Sequence, residues 1–309
     1  MKSDRKGNLA HSVFQRLFNK AKQNNEDFNL LLTRYGIERF LYRLSISDYK
    51  DSFILKGASL FLVWKGQNYR VTKDADLLGV GDLTPPKLSD MFKAICVINC
   101  TASDGVIYLP DSVKTQEIRE DNVYGGVRIT LLGMLYNARI SLQIDIGFGD
   151  SVLPIPEIVE YPTILDLPHP KMRAYTMYTL IAEKLETMVQ LGMANSRIKD
   201  FYDIWLLSKI YKFEGKILSL AIKNTFKCRR TLLPETLPFA FTSSFYEDTD
   251  KQKQWKAFIR KSKPELSVDD IASVISEISK FIMPVIIELK KDKFLEYVWQ
   301  PEQGWLSTH

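Results

Sequence analysis

The chain has 309 residues, of which 45% are hydrophobic and 26% are charged, and its formal net charge is +5. This composition is typical of a globular protein with ample material for a core, and it excludes extended disorder. The small basic excess permits a nucleotide or nucleic-acid partner but does not require one.

The cysteines, histidines and apolar runs exclude further classes. Three cysteines and three histidines show no paired metal-ligand spacing, which argues against a zinc site. The start of the sequence has no hydrophobic signal core, and no apolar run approaches the roughly 20 residues of a membrane span. We therefore expect a cytoplasmic protein with no membrane partner.

The first half of the chain predicts two helices followed by a region of strands and turns. Apolar stripes at helical spacing occur over Val13–Phe18 and Leu30–Leu41. From about Phe53 the pattern becomes that of an α/β region. The predicted elements are strand Phe53–Leu55, helix Ala58–Trp64, strand Asp74–Leu78, helix Pro85–Ile98, and strands Val127–Leu132 and Ile140–Ile146 joined by a hairpin at Tyr136-Asn137.

Helical periodicity dominates the second half of the chain, after Pro156. The polar stretch Ser243–Lys263 is predicted to be a surface excursion. The fold class is therefore α/β with a mixed sheet, followed by an α-helical C-terminal half, with domains at 1–155 and 156–309. The predicted helices of the second half are Tyr175–Leu191, Asp200–Tyr211, Gly215–Phe226 and Leu266–Leu289.

Three carboxylates fall on the polar faces of predicted strands. Side chains alternate along a strand, so Asp74 and Asp76 share one face. Along Ile140–Ile146 the even positions are apolar, which places Asp145 on the polar face. If the strands are neighbours, the carboxylates converge and repel unless a cation such as Mg²⁺ lies between them. An Asp-x-Asp pair taken alone is usually solvated, but an Asp inside an apolar strand is uncommon.

A second group of charges occurs at helical spacing in the second half. Lys184 falls at the edge of an apolar stripe, away from the wet side that is predicted to hold Glu183 and Glu186. Asp200 and Asp203 lie on the apolar-facing side of the next helix. Such charges need a partner or a ligand. Two interpretations stay open: a buried Lys–Asp pair that joins two helices, or a lysine that binds a triphosphate with Asp203 nearby.

Four motifs in one order carry a resemblance to a known family. They are Lys56-Gly57-Ala58-Ser59, Arg70-Val71-Thr72-Lys73-Asp74-Ala75-Asp76, Gln143-Ile144-Asp145-Ile146-Gly147-Phe148-Gly149-Asp150, and Glu183-Lys184-Leu185 followed by Arg197-Ile198-Lys199-Asp200-Phe201-Tyr202-Asp203. Over about Phe53 to Trp205 the chain resembles the AbiEii-type nucleotidyltransferase toxins, which include the MenT toxins and belong to the DNA polymerase β-like superfamily. The resemblance implies a nucleotidyltransferase core whose active-site cleft is completed by the helical domain.

The resemblance also implies a role for each matching residue. Asp74, Asp76 and Asp145 match metal-binding carboxylates, of which the third also draws the proton from the attacking hydroxyl. Lys184 and Asp203 match further active-site positions. The residues that match nucleotide-binding positions are Gly57, Ser59, Arg70, Lys184, Arg197, Lys199 and Asp200. The spacing from Gly57 to Asp74 is longer than in minimal members of the superfamily but suits the AbiEii branch.

By the same resemblance we expect an enzyme that uses Mg²⁺ or Mn²⁺ to transfer a nucleotide from an NTP to an RNA acceptor, with the 3′ end of tRNA as the expected acceptor. Its biological role would be that of the toxin in an abortive-infection pair with an AbiEi-type antitoxin. Basic residues at Arg229-Arg230 and over 251–263 are candidate RNA contacts. Two alternatives remain: the same chemistry on a small molecule or a protein hydroxyl, and a catalytically silent nucleic-acid-binding protein.

Overall fold

The computed structural model describes residues 2–66, 73–100, 102–120, 124–262, 264, 266, 268 and 270–307. Arg70, one of the predicted nucleotide-binding residues, lies outside the described residues. Within these ranges, no helix is long and apolar enough to cross a membrane.

The chain divides by its internal contacts into two compact units. The first comprises Met1–Gly149 and Glu157–Ala174, and the second comprises Asp150–Pro156 and Tyr175–His309. The first unit is the α/β part and the second is mainly helical, as the fold class predicts.

The first unit contains a mixed sheet of seven strands among its described residues. Its helices are α1 (Lys2–Gln23), α2 (Phe28–Ser45), α3 (Leu60–Lys65) and α4 (Pro85–Cys96). Its strands are β1 (Phe53–Lys56), β2 (Ala75–Gly79), β3 (Val106–Glu120), β4 (Tyr124–Leu135), β5 (Ala138–Phe148), β6 (Glu157–Glu160) and β7 (Lys171–Ala174). The strand order is β3-β4-β5-β2-β1-β7-β6, in which β2 is parallel to β5 and β1 is parallel to β7.

One face of β5 forms part of the core of this unit. Ile140, Leu142, Ile144 and Ile146 are buried, as the alternation in the sequence predicts. Helix α2 packs against this face so closely that a Cβ on Gly36 would lie 2.9 Å from Ile140 Cγ2. Burial of each of these side chains stabilises the fold by about 1.5–3 kcal/mol. The polar positions of β5 are consequently directed to the opposite face of the sheet.

The second unit is built of helices with a small sheet. The helices are α5 (Met177–Leu191), α6 (Ile198–Ile210), α7 (Gly215–Arg229), α8 (Ser243–Tyr246), α9 (Thr249–Ser262) and α10 (Ile271–Lys290). The strands are β8 (Phe213–Glu214), β9 (Tyr297–Gln300) and β10 (Gly304–Ser307), in the order β10-β9-β8. The predicted helices of the second half are confirmed within a few residues, except that α10 begins later than Leu266 because Asp270 caps its first turn.

Several elements differ from the sequence prediction. The stretch Ser243–Lys263 is not a surface excursion, because α8 and α9 bury Phe245 and Trp255 there. These few apolar residues are widely spaced among charges, so the segment is polar in composition although it packs. The strands β3 and β6 to β10 were not predicted, since most are short and lack a long apolar–polar alternation.

Candidate active site

Asp76 and Asp145 lie at paired positions of two neighbouring parallel strands. Strand β2 runs beside β5, and the register places Asp76 directly opposite Asp145. Neighbouring strands are about 4.8 Å apart, and paired residues point to the same face. Asp145 is only 9% exposed, Asp76 is half-buried, and Asp74 immediately precedes β2. The structure therefore brings together two carboxylates that the sequence placed on polar strand faces.

Arg128 of β4 belongs to this group, and sequence reasoning did not identify it. Its Nε and Nη2 donate to Oδ1 and Oδ2 of Asp145, each at 2.8 Å, and Gln143 Nε2 donates to Oδ2 at 3.3 Å. The hydrogen bond to Asp145 raises the pKa of Arg128, and the charges of Asp145, Asp74 and Asp76 raise it further. The negative charges of all three predicted carboxylates therefore act on Arg128. We call Asp74, Asp76 and Asp145 the aspartate group.

The carboxylates of the aspartate group are not arranged around a single point. In the part of the chain that the structure describes, no three His, Cys, Asp or Glu side chains are grouped so as to hold a metal ion. Both oxygens of Asp145 are instead directed at Arg128. The ion pair with Arg128 accordingly neutralises one carboxylate of the group.

Gly57 allows the Asp76 side chain to occupy its position. Lys56, the last residue of β1, is paired with Asp76, and Gly57 follows with φ of +74°. A Cβ on Gly57 would lie 1.9 Å from Asp76 Oδ2. Both the left-handed backbone and the contact therefore require glycine. Ser59, also predicted to bind nucleotide, is buried and its hydroxyl donates to the Lys56 carbonyl at 3.2 Å.

We expect Gly57→Ala to displace the Asp76 carboxylate. The left-handed conformation would destabilise the fold by about 1–3 kcal/mol, and a shift of roughly 1 Å in a reacting group can lower turnover about 100-fold. Thermal unfolding and steady-state transfer assays measure the two effects separately. Gly66→Ala is a matched control, because Gly66 has φ of +72° but a Cβ added there would meet no atom within 4 Å. Equal losses of transfer in both variants would contradict a specific effect on Asp76.

The predicted residues of the second unit form an ion-pair group between α5 and α6. Lys184 Nζ lies 2.9 Å from Asp203 Oδ2 and also pairs with Asp200, and all three side chains are at most 7% exposed. Arg197 Nε lies 2.7 Å from Asp200 Oδ2, and its side chain is 30% exposed, while Lys199 is exposed. Burial raises the pKa of Asp200, but the charges of Lys184 and Arg197 outweigh it and hold that pKa below its ordinary value. The buried pair that joins two helices, one of the two interpretations of the sequence, is therefore present.

Two of the predicted positions of charged residues are wrong. Glu186 is fully buried rather than on the wet side of α5, and it accepts a hydrogen bond from Arg229 Nη1 at 2.7 Å. Arg229 also pairs with Asp150 at 2.7 Å, so its guanidinium is held inside the unit and is not a candidate RNA contact. Sequence patterns carry no signal for these pairs, because their partners are 43 and 79 residues apart.

Lys251 is a further correction among the candidate RNA contacts. Its side chain is buried, its ammonium donates to the Asn195 carbonyl at 2.7 Å, and it lies 5.1 Å from the centre of the Phe245 ring. This lysine therefore fixes the start of α9 rather than facing solvent.

Comparisons with known proteins place the chain in a family. Two solved structures from Helicobacter pylori are similar in fold at 15% identity: JHP933 (TM-score 0.45; 82% of this chain, 90% of that one) and a candidate nucleotidyltransferase (TM-score 0.46; 82% and 94%). A search of curated proteins gave no match. The family model of the nucleotidyl transferase AbiEii toxins of type IV toxin–antitoxin systems matches residues 39–276, well over half of the chain. The chain therefore belongs to the AbiEii toxin family and is a nucleotidyltransferase of the toxin–antitoxin type.

Proposed function

We propose that this enzyme transfers a nucleoside monophosphate from an NTP to the 3′ end of an RNA, with tRNA as the acceptor, in a reaction that depends on Mg²⁺ or Mn²⁺. The observation that carries the proposal is the pairing of Asp76 with Asp145 across β2 and β5. Arg128 compensates one of the three carboxylates of the aspartate group, and carboxylates held this close on one sheet face also favour a divalent cation. Transfer of a nucleotide requires a divalent cation at such a position.

The aspartate group fits a divalent cation by the chemistry of its donors. Carboxylate oxygens are the ligands that Mg²⁺ prefers, together with the phosphates of a substrate. Asp74, Asp76 and Asp145 would hold the ion, which would supply charge stabilisation for the phosphoryl group when bound. The place that Gly57 leaves for the Asp76 carboxylate supports this assignment, because a side chain there would exclude it.

In the proposed reaction, the 3′ hydroxyl oxygen of the RNA attacks the α-phosphorus of the NTP. The new bond joins that oxygen to phosphorus, the bond from phosphorus to the bridging oxygen breaks, and pyrophosphate leaves. Asp145 accepts the proton of the attacking hydroxyl. On the family resemblance, Gly57 and Ser59 contact the triphosphate, with Ser59 contributing through its backbone because its hydroxyl is directed at Lys56.

The nucleotide-binding roles of the second unit belong to the same proposal. Lys184 and Asp203 match active-site positions of the family, and Arg197 and Lys199 retain exposed surface from which a cation can reach a phosphate. Asp200 binds both Lys184 and Arg197, so its contribution is to orient these two cations. Arg70 keeps its proposed role on the resemblance alone.

The exposed face of α9 supports an RNA acceptor. Lys253, Lys256, Arg260 and Lys261 are exposed and recur at helical spacing, so they lie on one face. Lys253 pairs with Asp250 at 3.1 Å, and Lys256, Arg260 and Lys261 supply further positive charge on this face. A row of cations at this spacing suits successive phosphates of a nucleic-acid backbone. We call these four residues the α9 basic face.

The proposal is tested by incubating the enzyme with each radiolabelled NTP and total cellular RNA, with and without Mg²⁺. We expect label on tRNA-sized RNA, dependent on the metal ion and removed by nucleases that act at the 3′ end. Label that appears only on a protein or a small molecule would replace the RNA acceptor by one of the two other substrate classes. Absence of label on any acceptor would contradict the proposed activity.

Charge reversal on the α9 basic face tests the route by which RNA binds. The double variant Lys256→Glu/Arg260→Glu should weaken RNA binding by at least about tenfold at low salt, because each phosphate contact contributes through counterion release. The control Lys212→Glu/Lys216→Glu makes the same change in net charge at exposed residues of the same unit. Filter binding across a salt series measures both variants, and NTP binding should be unchanged in each. Equal weakening in the two variants would contradict a specific role of the α9 basic face.

Partners follow from the family. An AbiEii toxin has a cognate antitoxin and uses an NTP. We propose an AbiEi-type antitoxin with a winged helix-turn-helix, a relationship to the MenT toxins, a role in abortive infection and a place in the cytoplasm. Growth arrest on expression of the chain, relieved by co-expression of the neighbouring antitoxin gene, tests the toxin role.

A further inference from the structure

Arg128 and Asp145 form a bidentate ion pair. Two 2.8 Å hydrogen bonds from the guanidinium occupy both carboxylate oxygens. The pair lies at one register position of the antiparallel strands β4 and β5, so the backbone holds the two side chains opposite each other. Gln143 donates to the same carboxylate from two residues away on β5. The third carboxylate of the aspartate group thus accepts three hydrogen bonds from protein donors.

We propose that Arg128 is a positioning residue that holds Asp145 before metal binding and is exchanged for the divalent cation when the enzyme is loaded. The inference rests on the proposed metal-dependent function. The carboxylate of Asp145 already accepts three hydrogen bonds, two of them from a guanidinium whose positive charge repels a second cation at the same oxygens. The exchange therefore precedes or accompanies the use of Asp145 as a ligand.

The surroundings of Arg128 favour an exchangeable pair. Its side chain is 37% exposed, whereas that of Asp145 is 12% exposed. The guanidinium can therefore move into solvent while the carboxylate stays in place, and rehydration offsets much of the lost ion pair. Asp74 and Asp76 act on the same guanidinium. Arg128 is consequently a counter-ion of the aspartate group until a divalent cation replaces it at Asp145.

If the Arg128–Asp145 pair is never exchanged for a cation, removal of Arg128 should change the metal affinity in the opposite direction. If Arg128 serves only to orient Asp145, its removal frees the carboxylate to rotate and weakens metal binding. If Arg128 competes with the cation, its removal strengthens metal binding. The sign of the change in affinity therefore separates the two roles, and a purely structural role would not produce a gain.

The experiment is a titration of the full chain with Mn²⁺ in the absence of nucleotide, followed by isothermal calorimetry or by the EPR signal of free Mn²⁺. We expect Arg128→Gln to bind Mn²⁺ about tenfold more tightly than the wild type, the scale of one strong charge-assisted hydrogen bond. Arg128→Lys keeps the charge but cannot engage both oxygens, so its affinity should be intermediate. An unchanged or weaker affinity in Arg128→Gln would overturn the proposal.

Thermal unfolding provides a second readout that is independent of activity. Without metal, Arg128→Gln should unfold at a lower temperature than the wild type, because the carboxylates lose their counter-ion. Saturating Mn²⁺ should raise the unfolding temperature of Arg128→Gln by more than it raises that of the wild type. An equal rise in both proteins would overturn the proposal. Should Arg128→Gln fail to fold, the same comparison is made with Arg128→Lys, whose tighter Mn²⁺ binding supports the proposal and whose unchanged binding overturns it.

Two control variants separate this inference from the proposed function. Arg139→Gln removes an exposed arginine of the same strand pair, at the register position of Met134 and about 20 Å along β5 from Asp145, and should bind Mn²⁺ like the wild type. Asp76→Asn should lose Mn²⁺ binding if the proposed metal site is right. If Asp76→Asn loses binding and Arg128→Gln shows no gain, only the exchange proposal is wrong. If Asp76→Asn binds Mn²⁺ normally, the proposed metal site is wrong.

Discussion

Asp76→Asn is expected to lower nucleotide transfer by about 1,000-fold or more while leaving the protein folded. A catalytic metal ion contributes several kcal/mol of transition-state stabilisation, and each ~1.4 kcal/mol is tenfold in rate. Asparagine has nearly the same shape as aspartate, so the contact with Gly57 is preserved. The substitution removes one negative charge opposite Asp145 and therefore weakens binding of the cation.

The measurement is the initial rate of label transfer from NTP to RNA, with circular dichroism and thermal unfolding as checks of the fold. Asp82→Asn is the matched control, because Asp82 follows β2 closely in sequence, is exposed, and pairs at the surface with Lys87. We expect Asp82→Asn to transfer at the wild-type rate. Full transfer by Asp76→Asn would contradict the assignment of the aspartate group as the catalytic centre.

The pairing of Asp76 with Asp145 was predictable in part from sequence. The alternation over Ile140–Ile146 places Asp145 on the polar face of β5. The Asp74-x-Asp76 spacing places those two side chains on one face of the predicted strand. That β2 and β5 are neighbours could not be deduced, since 58 residues or more separate them and sequence pattern carries no strand order. The sequence therefore predicts a shared face only if β2 and β5 are neighbours, and the strand order shows that they are.

The position of Arg128 opposite Asp145 follows from the predicted hairpin. The hairpin at Tyr136-Asn137 pairs Leu135 with Ala138, which fixes the register of the two strands. Counting back along one strand and forward along the other by the same number of residues pairs Arg128 with Asp145. The predicted turn therefore contained the information that an arginine faces the third carboxylate.

The buried charges of the second unit mark where sequence reasoning fails. Glu186 and Lys251 lie on helices whose neighbouring residues are charged, so periodicity assigns them to solvent. Their burial depends on Arg229 and on the Asn195 carbonyl, which arrive from other segments of the chain. A helical wheel contains no information on partners at such distances, whereas the apolar alternation over Ile140–Ile146 is local and was predicted correctly.

Lys184→Met is expected to destabilise the protein by about 3–5 kcal/mol, the effect of removing one partner from a buried ion pair. Methionine nearly conserves the volume of the lysine stem, so the loss is mainly electrostatic. Asp203 and Asp200 would each lose the Lys184 ammonium, and Asp200 would retain Arg197. Chemical denaturation at neutral pH measures the change in the free energy of unfolding.

The destabilisation by Lys184→Met should depend on pH in a definite direction. In the wild type the pKa of Asp200 is lowered from 3.8, so its contribution to stability is present above that value and is lost as pH falls. In the variant, Asp200 stays buried but loses the lysine, so its pKa is higher than in the wild type. Protonation of Asp200 then removes the buried negative charge. The difference between the two proteins should therefore be greatest at neutral pH and shrink as pH falls towards 3.8. A difference that grows on acidification would contradict the ion-pair account.

The double variant Lys184→Met/Asp203→Asn separates stability from catalysis. Removing one carboxylate together with the lysine restores the charge balance between α5 and α6, so part of the lost stability should return. Asp203→Asn alone gives the matched single change. If Lys184 and Asp203 act only as a structural pair, transfer should recover with stability when both are assayed well below their unfolding temperatures. If Lys184 binds the triphosphate, as the family resemblance implies, transfer should stay low and the KM for NTP should stay raised although the fold is restored. We expect the second result on the family resemblance, and the KM for NTP decides it, because a lysine that only joined two helices would contribute nothing to NTP binding once the protein is folded.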